Sequence, residues 1–242
     1  MKAIILAAGY ATRLYPLTKS TPKALLKINN ITILDYILNK VEKIKDINQI
    51  IIVSNEKFHK NFIDWSKTYK GKLPVEIIND HTTSNENRLG AIKDINLAIK
   101  EKNINEDILV LASDNYFSFD LVNILKYYKE KNNDLIIGTF ANKEILNQRK
   151  YAVATLDQKN EVTYMEEKPT NPKSNIIIHA IYFYKKETLP MFDTYLQEGN
   201  NPDSPGNFPA WLYTKKTVSC YIATGECVDI GTIEIYNKLN KF

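Results

Sequence analysis

Short apolar runs alternate with helically spaced apolar residues through the first half of the chain. The pattern predicts a buried strand over Lys2–Leu6, a helix over Ile33–Lys45, a strand over Gln49–Val53 and a helix over Phe58–Tyr69. It continues with a strand over Val75–Ile78, a helix over Leu89–Lys100, a strand over Asp107–Ala112, a helix over Leu121–Lys131 and a strand over Leu135–Phe140. Strands apolar on both faces and separated by helices predict a parallel sheet covered on both sides.

The second half changes character. Tyr151–Leu156 and Glu161–Glu166 read as a hairpin about Gln158-Lys159-Asn160, followed by a strand over Ile176–Tyr184. Helices are expected over Leu189–Gln197 and Phe208–Lys215, a strand over Val218–Ala223 and a closing helix over Thr232–Leu239. Antiparallel strands are thus added to a parallel core. Pro169–Pro172 and Gly199–Pro209 read as loops within one unit, so a single domain over residues 1–242 is expected.

Composition narrows the classes. Hydrophobic residues make up 44% and charged residues 25% of 242, which excludes intrinsic disorder and coiled coil. The longest apolar runs, Ala3–Ala8, Ile50–Val53 and Ile108–Ala112, fall far short of the ~20 residues of a membrane span, so no membrane partner is expected. The six apolar residues before Gly9 are too few for a signal peptide, and with only Cys220 and Cys227 a reducing cytoplasm is the simplest compartment. The net charge of +4 is scattered, without a basic run, which argues against nucleic acid. Arginine is scarce, with only Arg13, Arg88 and Arg149 among 32 basic residues. Where lysine is the default cation, an arginine marks a place for a planar fork; Arg149, in a Lys-rich context, reads instead as part of a solvated face.

The strand Lys2–Leu6 runs into Ala7-Ala8-Gly9-Tyr10-Ala11-Thr12-Arg13-Leu14-Tyr15-Pro16-Leu17-Thr18, then Thr21-Pro22-Lys23. Ligands of open parallel sheets bind beyond the carboxyl ends of strands. Small residues there let backbone N–H groups approach an anion, and Arg13 and Lys23 supply two cations suited to a triphosphate. The loop is neither a Walker A sequence nor a dinucleotide fingerprint. Further along, Ser113-Asp114-Asn115 and Val228-Asp229-Ile230-Gly231-Thr232 each put an Asp directly after a strand. By residue type alone each Asp reads equally as a helix cap or as a ligand; two on one rim are what Mg²⁺ requires.

The run Leu6-Ala7-Ala8-Gly9-x-x-Thr12-Arg13-Leu14-x-Pro16-Leu17-Thr18 with Pro22-Lys23 resembles the signature of the sugar-1-phosphate nucleotidylyltransferases, of which glucose-1-phosphate thymidylyltransferase is the best-known type. The resemblance extends over nearly the whole chain and implies a three-layer α/β Rossmann-like nucleotidyltransferase fold, with a mixed, mostly parallel sheet and helices on both faces. Its implied substrates are an NTP and a sugar 1-phosphate, and its implied cofactor is Mg²⁺ on Asp114 and Asp229. It implies that Leu6, Ala8, Gly9, Ala11, Thr12, Arg13 and Lys23 hold the nucleotide together with Arg88, Gly90 and Asp114, Arg13 and Lys23 being catalytic. Ala11 stands where the signature carries a second Gly, so the local turn is expected to differ there.

On the acceptor side, Glu167-Lys168-Pro169 resembles the family's Glu-Lys-Pro, in which Lys holds the acceptor phosphate and Glu its hydroxyls. Ala152 replaces a usual Gly and adds a methyl group beside the sugar. His179 is a candidate acceptor contact or a plain half-buried histidine. Gly90 brings no side chain to the base, so base choice falls to the backbone or to neighbours such as Arg88. Ending at Phe242, the chain is expected to lack the hexapeptide-repeat β-helix of bifunctional relatives. Two rival readings are a cytidylyltransferase acting on a non-sugar phosphate such as phosphocholine, and a non-catalytic nucleotide sensor; the latter is disfavoured because Arg13, Lys23, Asp114 and Asp229 are all present. The base, the sugar and any assembly of like subunits are not given by the sequence.

Overall fold

In the computed structural model, which describes residues 1–147 and 149–240, the alternating pattern becomes a sheet between two helical layers. The first half runs β1 (Lys2–Leu6), a short ribbon of β2 (Lys27–Ile28) and β3 (Ile31–Thr32), α1 (Ile33–Val41), β4 (Gln49–Ser54), α2 (Glu56–Ser66), β5 (Val75–Asn79), α3 (Ala91–Glu101), β6 (Ile108–Ala112), β7 (Asn115–Phe117) and α4 (Leu121–Lys131). The second half runs β8 (Asp134–Phe140), α5 (Lys143–Asn147), β9 (Ala152–Leu156), β10 (Val162–Glu166), β11 (Ile176–Tyr184), α6 (Met191–Gln197), α7 (Asn207–Leu212), β12 (Val218–Ile222), β13 (Cys227–Asp229) and α8 (Ile233–Leu239).

Side-chain alternation along the strands decides which helix packs where. Ala3 and Ile5 of β1 face α1, α2 and α4, together with Ile50, Ile52, Leu109 and Leu111. Ile4 faces the opposite layer of α3, α6 and α7, together with Ile51, Val53, Ile108 and Val110. Helix α1 shows the local logic. Thr32 Oγ1 accepts from Asp35 N at 2.9 Å, capping the helix, while Ile33, Leu34, Ile37, Leu38 and Val41 bury one stripe.

The main sheet has nine strands in the order β10-β9-β11-β6-β1-β4-β5, with β8 pairing β11 and β12. β1, β4, β5 and β6 are parallel neighbours, so their carboxyl ends share one rim. β11 runs antiparallel to β6, β8 and β9. The sequence pattern therefore has the direction of β8 right, but β11 separates it from β6. The helix expected from Leu189 starts at Met191, with Pro190 at its N-cap, and a 3₁₀ turn at Lys186–Thr188 precedes it. Gly90, at φ 91°, delays the start of α3 to Ala91.

β11 also forks the sheet. Its first half pairs β9 (Ile176↔Ala154, Ile178↔Ala152) and its second half pairs β6 (Ile181↔Leu111, Tyr184↔Ile108). Against β8 the register slips between His179 and Tyr182, the mark of a bulge. The other long-range device is a ribbon of β7 with β13, which pairs Asp229 with Asn115.

One buried charge anchors the second half. Asp134, fully buried at the start of β8, accepts from Lys185 N and Thr188 Oγ1 at 2.7 Å each and lies 2.8 Å from Lys216 Nζ. Asp134→Ala leaves those donors unmatched and is expected to lower the unfolding free energy by about 3–5 kcal/mol in urea titration. A loss below about 1 kcal/mol would show that the cluster is incidental.

Candidate active site

Two cavities open at the carboxyl rim and share a wall. The first, of about 400 Å³, lies between the loop after β1 and the start of α3. The second, of about 520 Å³, lies in the fork between β9 and β6. Arg13, Ala112, Asp114 and Pro205 line both.

The loop after β1 is pinned from three sides. Asn55 Nδ2 donates to Ala8 O at 2.7 Å, Thr18 Oγ1 donates to Ala11 O at 2.8 Å, and Ala7 N donates to Val53 O at 2.9 Å. Leu6, Ala8, Gly9, Ala11, Thr12, Arg13 and Lys23 all line the first cavity. Ala11 sits at φ 48°, ψ 43°, so the turn is left-handed despite its methyl group, at a cost of about 1–2 kcal/mol. The flanking hydrogen bonds hold Ala11 in a left-handed conformation that Gly would adopt freely.

The shared wall concentrates charge. Lys23 Nζ donates to Asp114 Oδ2 at 2.6 Å. Ile230 N donates to Asp114 O at 3.0 Å, closing the β7–β13 ribbon and bringing Asp229 alongside. A Cβ at Gly231 would lie 3.3 Å from Asp229 Oδ2 and 3.4 Å from Arg13 Nη2, so the guanidinium and this carboxylate are neighbours. Burial and the nearby Asp114 carboxylate push Asp229 up, against the pull of Lys23, Arg13 and Lys150. Asp229 Oδ1 is buried and has no hydrogen-bond partner among the described residues. A buried carboxylate oxygen without a donor, beside a second carboxylate, is a donor set that fits a hard divalent cation. Burial, then the Asp229 charge, raises the Tyr151 hydroxyl to about 12.

In the second cavity Ala152, Glu167, Lys168 and His179 come together. Lys168 adopts φ 49°, a strained backbone that directs Nζ to Ser204 Oγ at 2.8 Å and to Glu167 Oε1 at 3.5 Å. Burial pushes the Glu167 carboxyl up, opposed by Lys168. Any side chain at Gly206 would collide with that carboxyl. His179 is buried at the bulge of β11, with Nε2 2.8 Å from Thr139 Oγ1 and Nδ1 without a partner. Arg149 also lines this cavity while staying exposed, in keeping with its reading as part of a solvated face. The turn at φ 49° that carries it there leaves no periodic trace in the sequence.

On the far side of the first cavity, Gly90 and Arg88 serve the loop 199–206. Ala91 N and Ile92 N donate to Asp203 O and Pro202 O at 3.2 and 3.0 Å, and a Cβ at Gly90 would lie 2.7 Å from Pro202 O. Arg88 lines the cavity, with Nε on Asp203 Oδ1 at 2.7 Å and Nη1 on Asn85 O at 2.8 Å. Sequence reasoning missed Asp80 and Asp94, which line the same cavity. A signal existed for Asp94, a carboxyl on the stripe of α3 that also buries Ala98 and Ile95.

Burial lowers His179 to about 4, so it is neutral near pH 7. The unfolded chain, titrating near 6.5, takes up the proton first, so stability falls as pH drops from 6.5 toward 4. Between pH 7 and pH 5 the protein is expected to lose about 2 kcal/mol more than His179→Gln in paired denaturation curves. Parallel curves would place the imidazole in solvent.

Comparisons with known proteins bear on the family and the fold. The profile of the family described as Nucleotidyl transferase matches residues 2–242. The chain is 30% identical over 201 residues to the bifunctional protein GlmU of Methanococcus aeolicus, covering 80% of this chain and 42% of that protein. It is 27% identical over 248 residues to a glucose-1-phosphate adenylyltransferase of Clostridium novyi, covering 97% of this chain and 64% of the relative. It thus spans less than two thirds of these relatives' length. A solved UDP-glucose pyrophosphorylase in complex with UDP-glucose superposes with a TM-score of 0.81 at 19% identity, covering 99% of this chain and 97% of that one, a likeness of fold. With the family profile matched over residues 2–242, the chain belongs to the nucleotidyl transferase family.

Proposed function

We propose that the protein is a sugar-phosphate nucleotidylyltransferase that joins an NTP to a sugar 1-phosphate and releases pyrophosphate. The observation that carries this reading is the wall common to both cavities, where Arg13 and Asp114 meet Asp229. A phosphate entering from either side would meet its partner there. The family membership supports the reaction class.

In the proposed reaction a phosphate oxygen of the acceptor attacks the α-phosphorus of the NTP. The bond from that phosphorus to the oxygen bridging to the β-phosphate breaks, and pyrophosphate leaves with the electron pair. The nucleophile is already an anion, so no protein group needs to remove a proton. Arg13, as a fork, and Lys23, as a point charge, would stabilise negative charge on the reacting and leaving phosphates. Lys168 would hold the acceptor phosphate, and Glu167, with its raised pKa, would bind acceptor hydroxyls over the space that Gly206 keeps open. His179, neutral, would line the acceptor space, and Ala152 would narrow the floor beside it. Asp114 and Asp229 would hold a divalent cation such as Mg²⁺, which supplies positive charge to phosphate oxygens. Lys23 Nζ, which donates to Asp114 Oδ2 at 2.6 Å, stands at the same wall within reach of a bound phosphate.

Pyrophosphate release, measured over a grid of NTPs against sugar 1-phosphates and phosphocholine with Mg²⁺, tests the reading. A signal with a sugar 1-phosphate is expected; a signal with phosphocholine alone would replace the acceptor class, and none with any pair would overturn the reaction. Asp229→Asn should lower turnover by about 10²-fold or more while keeping the melting temperature, because one of two anionic ligands is lost. Unchanged turnover would exclude the metal assignment. Lys168→Ala is expected to raise KM for the acceptor far more than KM for the NTP, and the reverse ranking would exchange the two cavities.

A further inference from the structure

Glu167 and Lys168 are neighbours in sequence, opposite in charge and both on the wall of the second cavity. Such a pair closes into a direct N–H···O bond of about 2.7–3.2 Å when nothing else competes for the ammonium. Here Lys168 Nζ stands 3.5 Å from Glu167 Oε1. The competitor is Ser204, whose Oγ accepts from Lys168 Nζ at 2.8 Å. The same hydroxyl bears on the carboxyl: burial raises Glu167, and Lys168 and then Ser204 draw it down.

Ser204 lines neither cavity and stands behind the pair, while the next two residues, Pro205 and Gly206, line the second cavity. Its backbone is held from both sides. Before it, Pro202 O accepts from Ile92 N at 3.0 Å, Asp203 O accepts from Ala91 N at 3.2 Å, and Asp203 Oδ1 accepts from Arg88 Nε at 2.7 Å. After it, Asn207 N donates to Ser204 O at 3.1 Å. A hydroxyl on so fixed a backbone can set the place of a flexible lysine, because little further freedom is lost when the bond forms.

We propose that Ser204 is a positioning residue of the acceptor site, its hydroxyl holding Lys168 off Glu167 so that the ammonium stays open to the acceptor phosphate and the carboxyl to acceptor hydroxyls. This rests on the nucleotidylyltransferase reading and adds to it a residue that touches neither substrate. An ammonium has three N–H donors; Ser204 takes one and leaves the others for phosphate oxygens. Without the hydroxyl, Lys168 closes on Glu167 and each neutralises the other. An acceptor must then break that contact to bind, which weakens acceptor binding and leaves NTP binding and the chemical step alone.

Steady-state kinetics of the wild type and Ser204→Ala test the proposal, using the fastest pair found among the NTPs and glucose, mannose and N-acetylglucosamine 1-phosphates. Ser204→Ala is expected to raise KM for the acceptor about 10-fold or more, with kcat and KM for the NTP within about threefold. Ser204→Thr, which keeps the hydroxyl, should return the acceptor KM to within about threefold of wild type. In a Lys168→Ala background, Ser204→Ala should change the acceptor KM by less than about twofold, and this cycle covers the case in which the Thr variant fails to fold. An equal rise in both KM values would show that Ser204 only supports the loop that α3 and Arg88 share. A fall in kcat alone would place its action on the reacting atoms. Either result, or an unchanged acceptor KM in the folded Ala variant, would overturn the positioning role and leave the proposed reaction standing. Turnover with no pair, or with phosphocholine alone, which has no hydroxyl for Glu167, would overturn the acceptor reading and the role of Ser204 with it.

Discussion

Two carboxylates held side by side in a partly buried cleft repel each other, and the architecture of the rim answers that repulsion. The β7–β13 ribbon forces Asp114 and Asp229 together through paired backbone, including the Ile230 N–H on Asp114 O. Side chains could not hold this arrangement alone, since either Asp would swing toward water. Lys23 neutralises one oxygen directly, and Arg13 and Lys150 lower the cost for Asp229. The orphaned Asp229 Oδ1 is what remains uncompensated. Under the proposed function, a cation and the phosphates complete that balance.

The second constraint is the fork in the sheet. A strand that paired β6 along its whole length would leave no room beside Ala112. The bulge at His179–Tyr182 turns β11 from β6 to β9, and the second cavity occupies the gap. Residues near the bulge therefore take the least usual environments, His179 being buried, neutral and half-satisfied. Loop 199–206 spans both cavities: Asp203 holds Arg88 on one side, and Ser204 receives Lys168 on the other. Pro205 lines both cavities between them. The two binding spaces are thus tied by one short segment, with no rearrangement needed to bring them together.

The rim is costly in stability as a whole. Ala11 and Lys168 hold left-handed backbone, Asp94 and Asp229 keep buried oxygens without donors, and His179 keeps an unpaired nitrogen. In the core beneath them, β1, β4 and β6 present Ile, Leu, Val and Ala to helices on both faces.

Hydropathy alone determined the alternation of strands and helices in the first half, because each element is long enough to show its own period. The signature after β1 determined the family, because many side chains that surround one phosphate-sized space lie in one contiguous loop. Both Asp residues were legible as candidates from their position after strands. Their adjacency was not, since strands of three residues carry no period, and β7 and β13 lie more than a hundred positions apart. The insertion of β11, the bulge at His179, the turn that carries Arg149 to the second cavity and the reach of loop 199–206 were decided only by tertiary structure. Each depends on pairing between distant segments, and the free energy of such pairing is shared among residues that no local window contains. Asp94 stands between the two cases: its place on the apolar stripe of α3 was legible, but only the tertiary structure sets it beside the first cavity.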